Sequence, residues 1–134
     1  MLLTKRNEYA LQAMILLARH HGTVALSAHV LAARLRTSPD FMSKIAQRLA
    51  AAGLVESRRG KGGGLALARK PERIRARDIF AAVDGALRVS QCLADGRCTH
   101  LVCPIYPVLA RMQRELDRGL NNATLAVLAR GAKH

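Results

Sequence analysis

Leu54-Val55-Glu56-Ser57-Arg58-Arg59-Gly60-Lys61-Gly62-Gly63-Gly64-Leu65-Ala66-Leu67-Ala68-Arg69 is the stretch on which the fold turns. Residues 54–58 and 65–69 read as two short strands, apolar at their starts and basic at their ends. Between them, Gly60, Gly62, Gly63 and Gly64 let the chain turn tightly and bring its backbone close to another molecule. Arg58, Arg59 and Lys61 put positive charge at the tip. A nucleotide-binding phosphate loop is the rival reading. The run lacks the lysine-serine/threonine ending of that motif, and no nucleotide-binding helix follows it.

What precedes the hairpin determines its meaning. Thr4 is placed to cap a first helix running to about His20, with Ala10, Met14, Leu17 and Ala18 as its apolar stripe and Gly22 as its stop. Ser27 can cap a second helix through Leu35. Ser38-Pro39-Asp40 supplies a cap, a first-position proline and an acidic first-turn residue for a third helix. That helix buries Phe41, Ile45, Leu49 and Ala52, and Gly53 ends it. Two helices joined by a short turn could be an ordinary helical hairpin. Followed by a basic β-hairpin, they form a winged helix-turn-helix. In that architecture the third helix enters the major groove and the wing reaches the neighbouring backbone or minor groove.

Charge agrees with this reading. The 134 residues hold 22 Lys and Arg against 9 Asp and Glu, a formal net charge of +13. Twelve of the basic residues fall between Arg34 and Arg77, opposed only by Asp40, Glu56 and Glu72. Such a concentration favours a polyanion, because each neutralised phosphate releases counterions. A hydrophobic content of 50% with 3% aromatics indicates a helical, Ala/Leu-rich globule, long enough for one modest core.

Downstream, a short helix is expected over Ala76–Val83, closed by Asp84-Gly85, and then an irregular loop. From Pro104 one long helix is expected, with Ile105, Leu109, Met112, Leu116, Leu120, Ala123 and Val127 recurring at spacings of three and four. This stripe exceeds what the first domain can cover, so a second copy is expected to share it; the alternative is a seam within one chain. The expected fold is mainly α with a small β-hairpin wing. Residues 1–90 form the winged-helix DNA-binding domain, 91–103 a cysteine loop, and 104–134 a long dimerisation helix and tail. The run Ala13–Ala18 is too short to span a membrane, and no small-residue cleavage site follows it. An odd number of thiols also argues against a secreted, disulfide-built protein, so a cytoplasmic location is expected.

All three cysteines lie in one window, Cys92-x5-Cys98-x4-Cys103. Thiolates grouped in this way suit an iron–sulfur cluster. Zinc held by Cys92, Cys98, His100 and Cys103 is an alternative, although the tight C-x2-C knuckle is missing. A cluster-free thiol switch is another. His20, His21, His29 and His134 read as ordinary surface or packing residues.

Leu3-Thr4…Tyr9-Ala10, Gly53-Leu54-Val55 leading to Arg59-Gly60-x-Gly62-Gly63-Gly64, Ile79-x-x-Ala82-Val83-Asp84, the three cysteines and Leu120-Asn121-Asn122-x-Thr124-Leu125 occur in one order. In that order they resemble the cysteine-containing winged-helix repressors that include the IscR- and NsrR-type iron–sulfur regulators. The resemblance spans almost the whole chain. It implies a DNA-binding homodimer with crossing long helices and a cluster on Cys92, Cys98 and Cys103. Such a protein is a transcriptional regulator, commonly a repressor, that answers to redox state, nitric oxide or iron supply. The second cysteine gap is one residue shorter than in IscR, and Tyr106 stands where IscR has its histidine ligand. Glu8 matches the acidic residue that NsrR-like relatives supply from the partner subunit; His100 is the other candidate fourth ligand.

For DNA, the sequence nominates Ser38, Asp40, Ser43, Lys44 and Gln47 on the third helix, and Arg58, Arg59 and Lys61 on the wing. Ser43 and Lys44 replace the glutamate and glutamine that discriminate between sites in IscR-like relatives, so target sequence does not transfer. Arg59 matches the family's wing arginine. No nucleophile–base–acid constellation is visible, and an enzyme is not expected. A small iron–sulfur electron carrier would leave the basic wing and third helix unexplained.

Overall fold

The computed structural model describes residues 3–60, 63–95 and 103–131. Helix α1 spans Lys5–Arg19, α2 Ala28–Leu35 and α3 Pro39–Ala51. Each begins where a hydroxyl can satisfy an otherwise orphaned amide. Thr4 accepts from Asn7 N at 3.2 Å, Ser27 from Val30 N at 3.1 Å and Ser38 from Phe41 N at 3.1 Å. The strands β1 (Val55–Arg58) and β2 (Gly64–Leu67) pair antiparallel, with Val55 opposite Leu67 and Arg58 opposite Gly64. A third segment joins them, because Leu26 and Leu65 exchange both backbone hydrogen bonds, at 3.0 and 2.8 Å. The wing is thereby fixed to the entrance of α2.

A 3-10 turn at Pro71–Arg73 leads to α4, Ala76–Asp84, which ends at Gly85 as expected. Ala10, Ala13, Met14 and Leu17 of α1 pack with Leu31, Met42, Ile45, Leu49, Leu54, Ile79 and Val83 in one core. The fold expected from sequence, mainly helical with a two-stranded wing, is the fold observed.

Local expectations differ in three places. The buried face of α3 is Met42, Ile45, Ala46 and Leu49. Phe41 lies one position to the side, half-buried and edge-on against Tyr9 with centroids 5.7 Å apart, and Ala52 is exposed at the C-cap. The segment expected to be wholly loop begins with a short helix α5, Gln91–Asp95. The long C-terminal helix is two helices, α6 (Tyr106–Asn122) and α7 (Leu125–Ala129).

The break between them has a clear cause. Ala123 turns extended, with φ −85° and ψ 90°, and Thr124 caps α7 by accepting from Val127 N. Backbone around Ile74 and Ala76 takes up the freed groups: Ala76 N donates to Ala123 O at 2.8 Å and Leu125 N to Ile74 O at 2.7 Å. Leu125 is fully buried in the main core, whereas Val127, expected in the apolar seam, is 55% exposed.

Truncating Leu125 to Ala should cost about 2–5 kcal/mol of stability in urea unfolding. Val127→Ala, two residues along the same helix, should stay within about 0.5 kcal/mol of the parent.

Candidate functional site

Two surfaces matter, and the fold places them on different elements. The first is the exposed side of α3 with the wing. Asp40, Lys44 and Gln47 are exposed and Ser43 is half-buried, at spacings of three and four that share one helix face. Ser38 also lies at this end, but its hydroxyl oxygen is engaged by the Phe41 amide. Ser43 and Gln47 face a shallow groove whose other wall is Ser57, Arg58, Gly64 and Leu65. The groove is therefore flanked by the third helix on one side and the basic hairpin on the other. Arg58 pairs with Glu56 at 3.7 Å, both more than half exposed, an ion pair that water largely screens. Arg59 is exposed, and among the described residues neither it nor Lys44 makes an ion pair. Lys61 lies outside the described residues.

Two glycines set this shape. Gly63 N closes the tip by donating to Gly60 O at 2.8 Å, and a Cβ on Gly63 would collide with the carbonyl oxygens of Arg58 and Gly60. At Gly64, φ is 152°, and a Cβ would stand 2.7 Å from both Leu26 C and Ser27 N. The hairpin lies so close to the strand-like entrance of α2 that only hydrogen fits there.

The second surface is the cysteine segment. Cys92, on α5, and Cys103 are free and half-buried, and Cys92 Sγ lies 3.2 Å from Ser90 Oγ. Cys98 and His100 lie outside the described residues. Among the described residues no three His, Cys, Asp or Glu side chains form a metal-holding group. Glu8 is exposed in the first turn of α1. That turn is held firmly: Thr4 Oγ1 donates to the Asp84 carboxylate, and Arg6 pairs with Asp84 at 3.0 Å. Asn7 beside it is fully buried, its side-chain amide without a partner among the described residues. Such a group costs roughly 1–3 kcal/mol.

Three residues that matter here escape the sequence reading. Gln113 is one of two buried polar residues among those described. Its Oε1 accepts from Val89 N at 2.8 Å and its Nε2 donates to Leu87 O at 3.0 Å, pinning the stem of the cysteine segment to α6. The signal was its place between Leu109 and Leu116, four after one and three before the other, on the inward side of α6. Arg48 donates from α3 to Val83 O at the end of α4. Asp84, read as part of a helix stop and of the resemblance but not as an anchor, holds the turn that bears Glu8.

The expected stripe is only partly covered within the chain, and two apolar residues outside it, Tyr106 and Val108, add to the part left exposed. Leu116, Leu120 and Ala123 pack on Ala76, Phe80 and Leu87, a seam within the chain. Ile105, Tyr106, Val108 and Met112 remain 40–52% exposed. No helix among the described residues is long and apolar enough to cross a membrane.

Comparison with known proteins agrees with this layout. The sequence profile of the Rrf2 family, described as an iron-dependent transcriptional regulator, matches residues 3–131. The chain is 30% identical over 129 residues to the HTH-type transcriptional regulator IscR of Klebsiella pneumoniae, covering 96% of this chain and 79% of that one. Its structure superimposes on CymR, the global cysteine regulator of B. subtilis, with a TM-score of 0.85 and 26% identity over 99% of both chains. The oxidised form of CymR from Staphylococcus aureus gives 0.81 and 27% identity over 100% of each.

Gly64→Ala should destabilise the chain by about 1–3 kcal/mol, read by thermal or urea unfolding, because the new methyl group must displace backbone at Leu26 and Ser27. Gly22→Ala is the control: its φ of 81° is also left-handed, but nothing lies within 4 Å of the added Cβ. The Gly64 variant should therefore lose more than the Gly22 variant.

Proposed function

We propose, from the premise that this chain belongs to the Rrf2 family of helix-turn-helix transcriptional regulators, that it is a homodimeric, cytoplasmic repressor whose grip on DNA is set by an iron–sulfur cluster. Its family consists of DNA-binding regulators and not enzymes. The observation that carries the cluster reading is the thiol set: Cys92 and Cys103 stand free and half-buried at the two described edges of a segment that also contains Cys98. Three soft thiolates suit iron in such a cluster, and the residues present fit that group. Cys92, Cys98 and Cys103 would hold it, with Glu8 of the partner subunit or His100 completing the set. When bound, such a cluster supplies a centre reactive toward oxidants and nitric oxide.

The chain's own residues provide the connection to DNA. Cys92 follows directly on the stem that Gln113 fastens to α6. That stem continues from the end of α4, and the carbonyl of Val83 there receives Arg48 from α3. A change in how Cys92 is held therefore pulls on the helix that carries Ser43, Lys44 and Gln47. The exposed Tyr106, Val108 and Met112 of α6, with the cap residue Ile105, are the surface for the second copy.

A second reading has a specific observation in its favour. The fold matches that of CymR crystallised in an oxidised form, and Cys92 and Cys103 are both free thiols. Here oxidation of two cysteines would replace the cluster as the control step.

Anaerobic purification followed by a visible spectrum and iron, sulfide and zinc assays separates the two. A brown protein with stoichiometric iron and sulfide, bleached by Cys98→Ala, is the expected result. A colourless protein after attempted reconstitution transfers control to zinc or thiol chemistry. Glu8→Ala with unchanged spectrum and unchanged DNA affinity would remove Glu8 from the ligand set. On the DNA side, Arg59→Ala should cost on the order of 1–3 kcal/mol in duplex affinity, with the loss depending on sequence. An equal loss on every duplex would make Arg59 a phosphate contact.

A further inference from the structure

We propose that Arg36, in the turn between α2 and α3, is a DNA-phosphate contact that this chain keeps in a strained backbone position; this rests on the duplex-binding reading above. Arg36 has φ 57° and ψ 48°, in the left-handed helical region. It is the one non-glycine residue at positive φ among the described residues. Gly22, Gly53, Gly60, Gly64 and Gly85 fill the other such positions. An L-residue there crowds its Cβ against the following carbonyl, and glycine is the residue that ends helices in this way without that cost.

The backbone explains why a left-handed residue is needed. Thr37 N donates to Ala32 O at 2.9 Å and Arg36 N to Ala33 O at 3.4 Å, closing α2 so that Ser38 can open α3. Glycine would make the same two bonds, so the turn accounts for the conformation and not for the arginine. The fold offers the side chain no partner either. Arg36 is exposed, and among the described residues its side chain makes no hydrogen bond or ion pair, not even with Asp40, the nearest acid in sequence. A residue held against its backbone preference, with its side chain unused by the fold, points to use outside the molecule.

Position and chemistry identify that use. Arg36 precedes the Ser38 cap by two residues, beside the N-terminal end of α3 that a helix-turn-helix directs at DNA. Arg34 stands two residues before it and Lys44 eight after, against the single acid Asp40, so the charge balance along this stretch suits an anion. A guanidinium offers five donors in a planar fork that matches phosphate oxygens. Since phosphates are the same under every base pair, the contact adds affinity and register without reading sequence.

The test pairs Arg36→Gly with Arg36→Lys on the full-length protein, read by anisotropy on a fluorescent mixed-sequence duplex through a salt titration, and by thermal melting. Gly should hold or raise the melting temperature while lowering duplex affinity several-fold. It should also shrink the slope of log affinity against log salt by about 0.9, the share of one phosphate. Lys keeps both charge and strain and should retain the parental slope. Unchanged affinity and slope in Arg36→Gly overturns the proposal while leaving parental duplex binding intact. A fall in melting temperature for Arg36→Gly also overturns it, because the arginine would then serve the fold. A parental protein that binds no duplex at low salt overturns this inference together with the DNA reading on which it rests.

Discussion

The buried face of α1 is the constraint on which the other elements depend. Ala10 and Ala13 are essentially inaccessible, and Met14 and Leu17 extend the same stripe. Small side chains at two of these positions allow neighbouring helices to approach closely, and α2, α3, α4, α7 and β2 all pack against this one helix. The third helix and the wing consequently have fixed positions relative to each other. Their relation is tightened by the backbone pairing of Leu26 with Leu65, which leaves room only for a glycine at position 64. A groove between a helix and a hairpin is useful for docking only if its width is held, and the α1 core holds it.

The capped helices were legible because their signals are local. Thr4, Ser27 and Ser38 each precede a helix, and each side chain accepts from the amide three residues on, within the reach of a short sequence window. The wing was legible because strand–glycine–strand is also a local pattern. The split between α6 and α7 was not, although Thr124 was the cap that announced it. Apolar spacing carries straight through Ala123, and what ends α6 is the backbone of residues 74–76, remote in sequence, which offers Ala123 and Leu125 partners that a continued helix could not use. The same reason hid Gln113. Its glutamine reads as solvent-facing among Arg111, Arg114 and Glu115 until the stem carbonyl of Leu87 and the amide of Val89 arrive beside it. The exposure of the α3 candidates was legible because they lie off the apolar stripe, which is a local property. The anchoring roles of Asp84 and Arg48 depend on contacts across the fold.

The two halves of α6 give the proposed dimer its logic. The C-terminal half of the helix is occupied within the chain, with Leu116 and Leu120 against Phe80 and Leu87. At its N-terminal end, the cap residue Ile105 with Tyr106, Val108 and Met112 stays exposed, starting two residues after Cys103. A second copy seated there would bury apolar surface immediately beside one of the thiols, so the cysteine segment and the subunit interface would share an edge. On the other side of the same segment, the stem runs through Gln113 to α6 and through Val83 and Arg48 to α3. Chemistry at Cys92 and Cys103 would then act on two geometrical relations at once. One is the angle between subunits, which sets the spacing of the two third helices; the other is the seating of each third helix on its own core. Two-site DNA binding is sensitive to both, because a displaced half-site contact loses the gain of simultaneous engagement. Under the proposed scheme, a modest movement at the thiols would become a large change in affinity without the proposed DNA contacts themselves being altered.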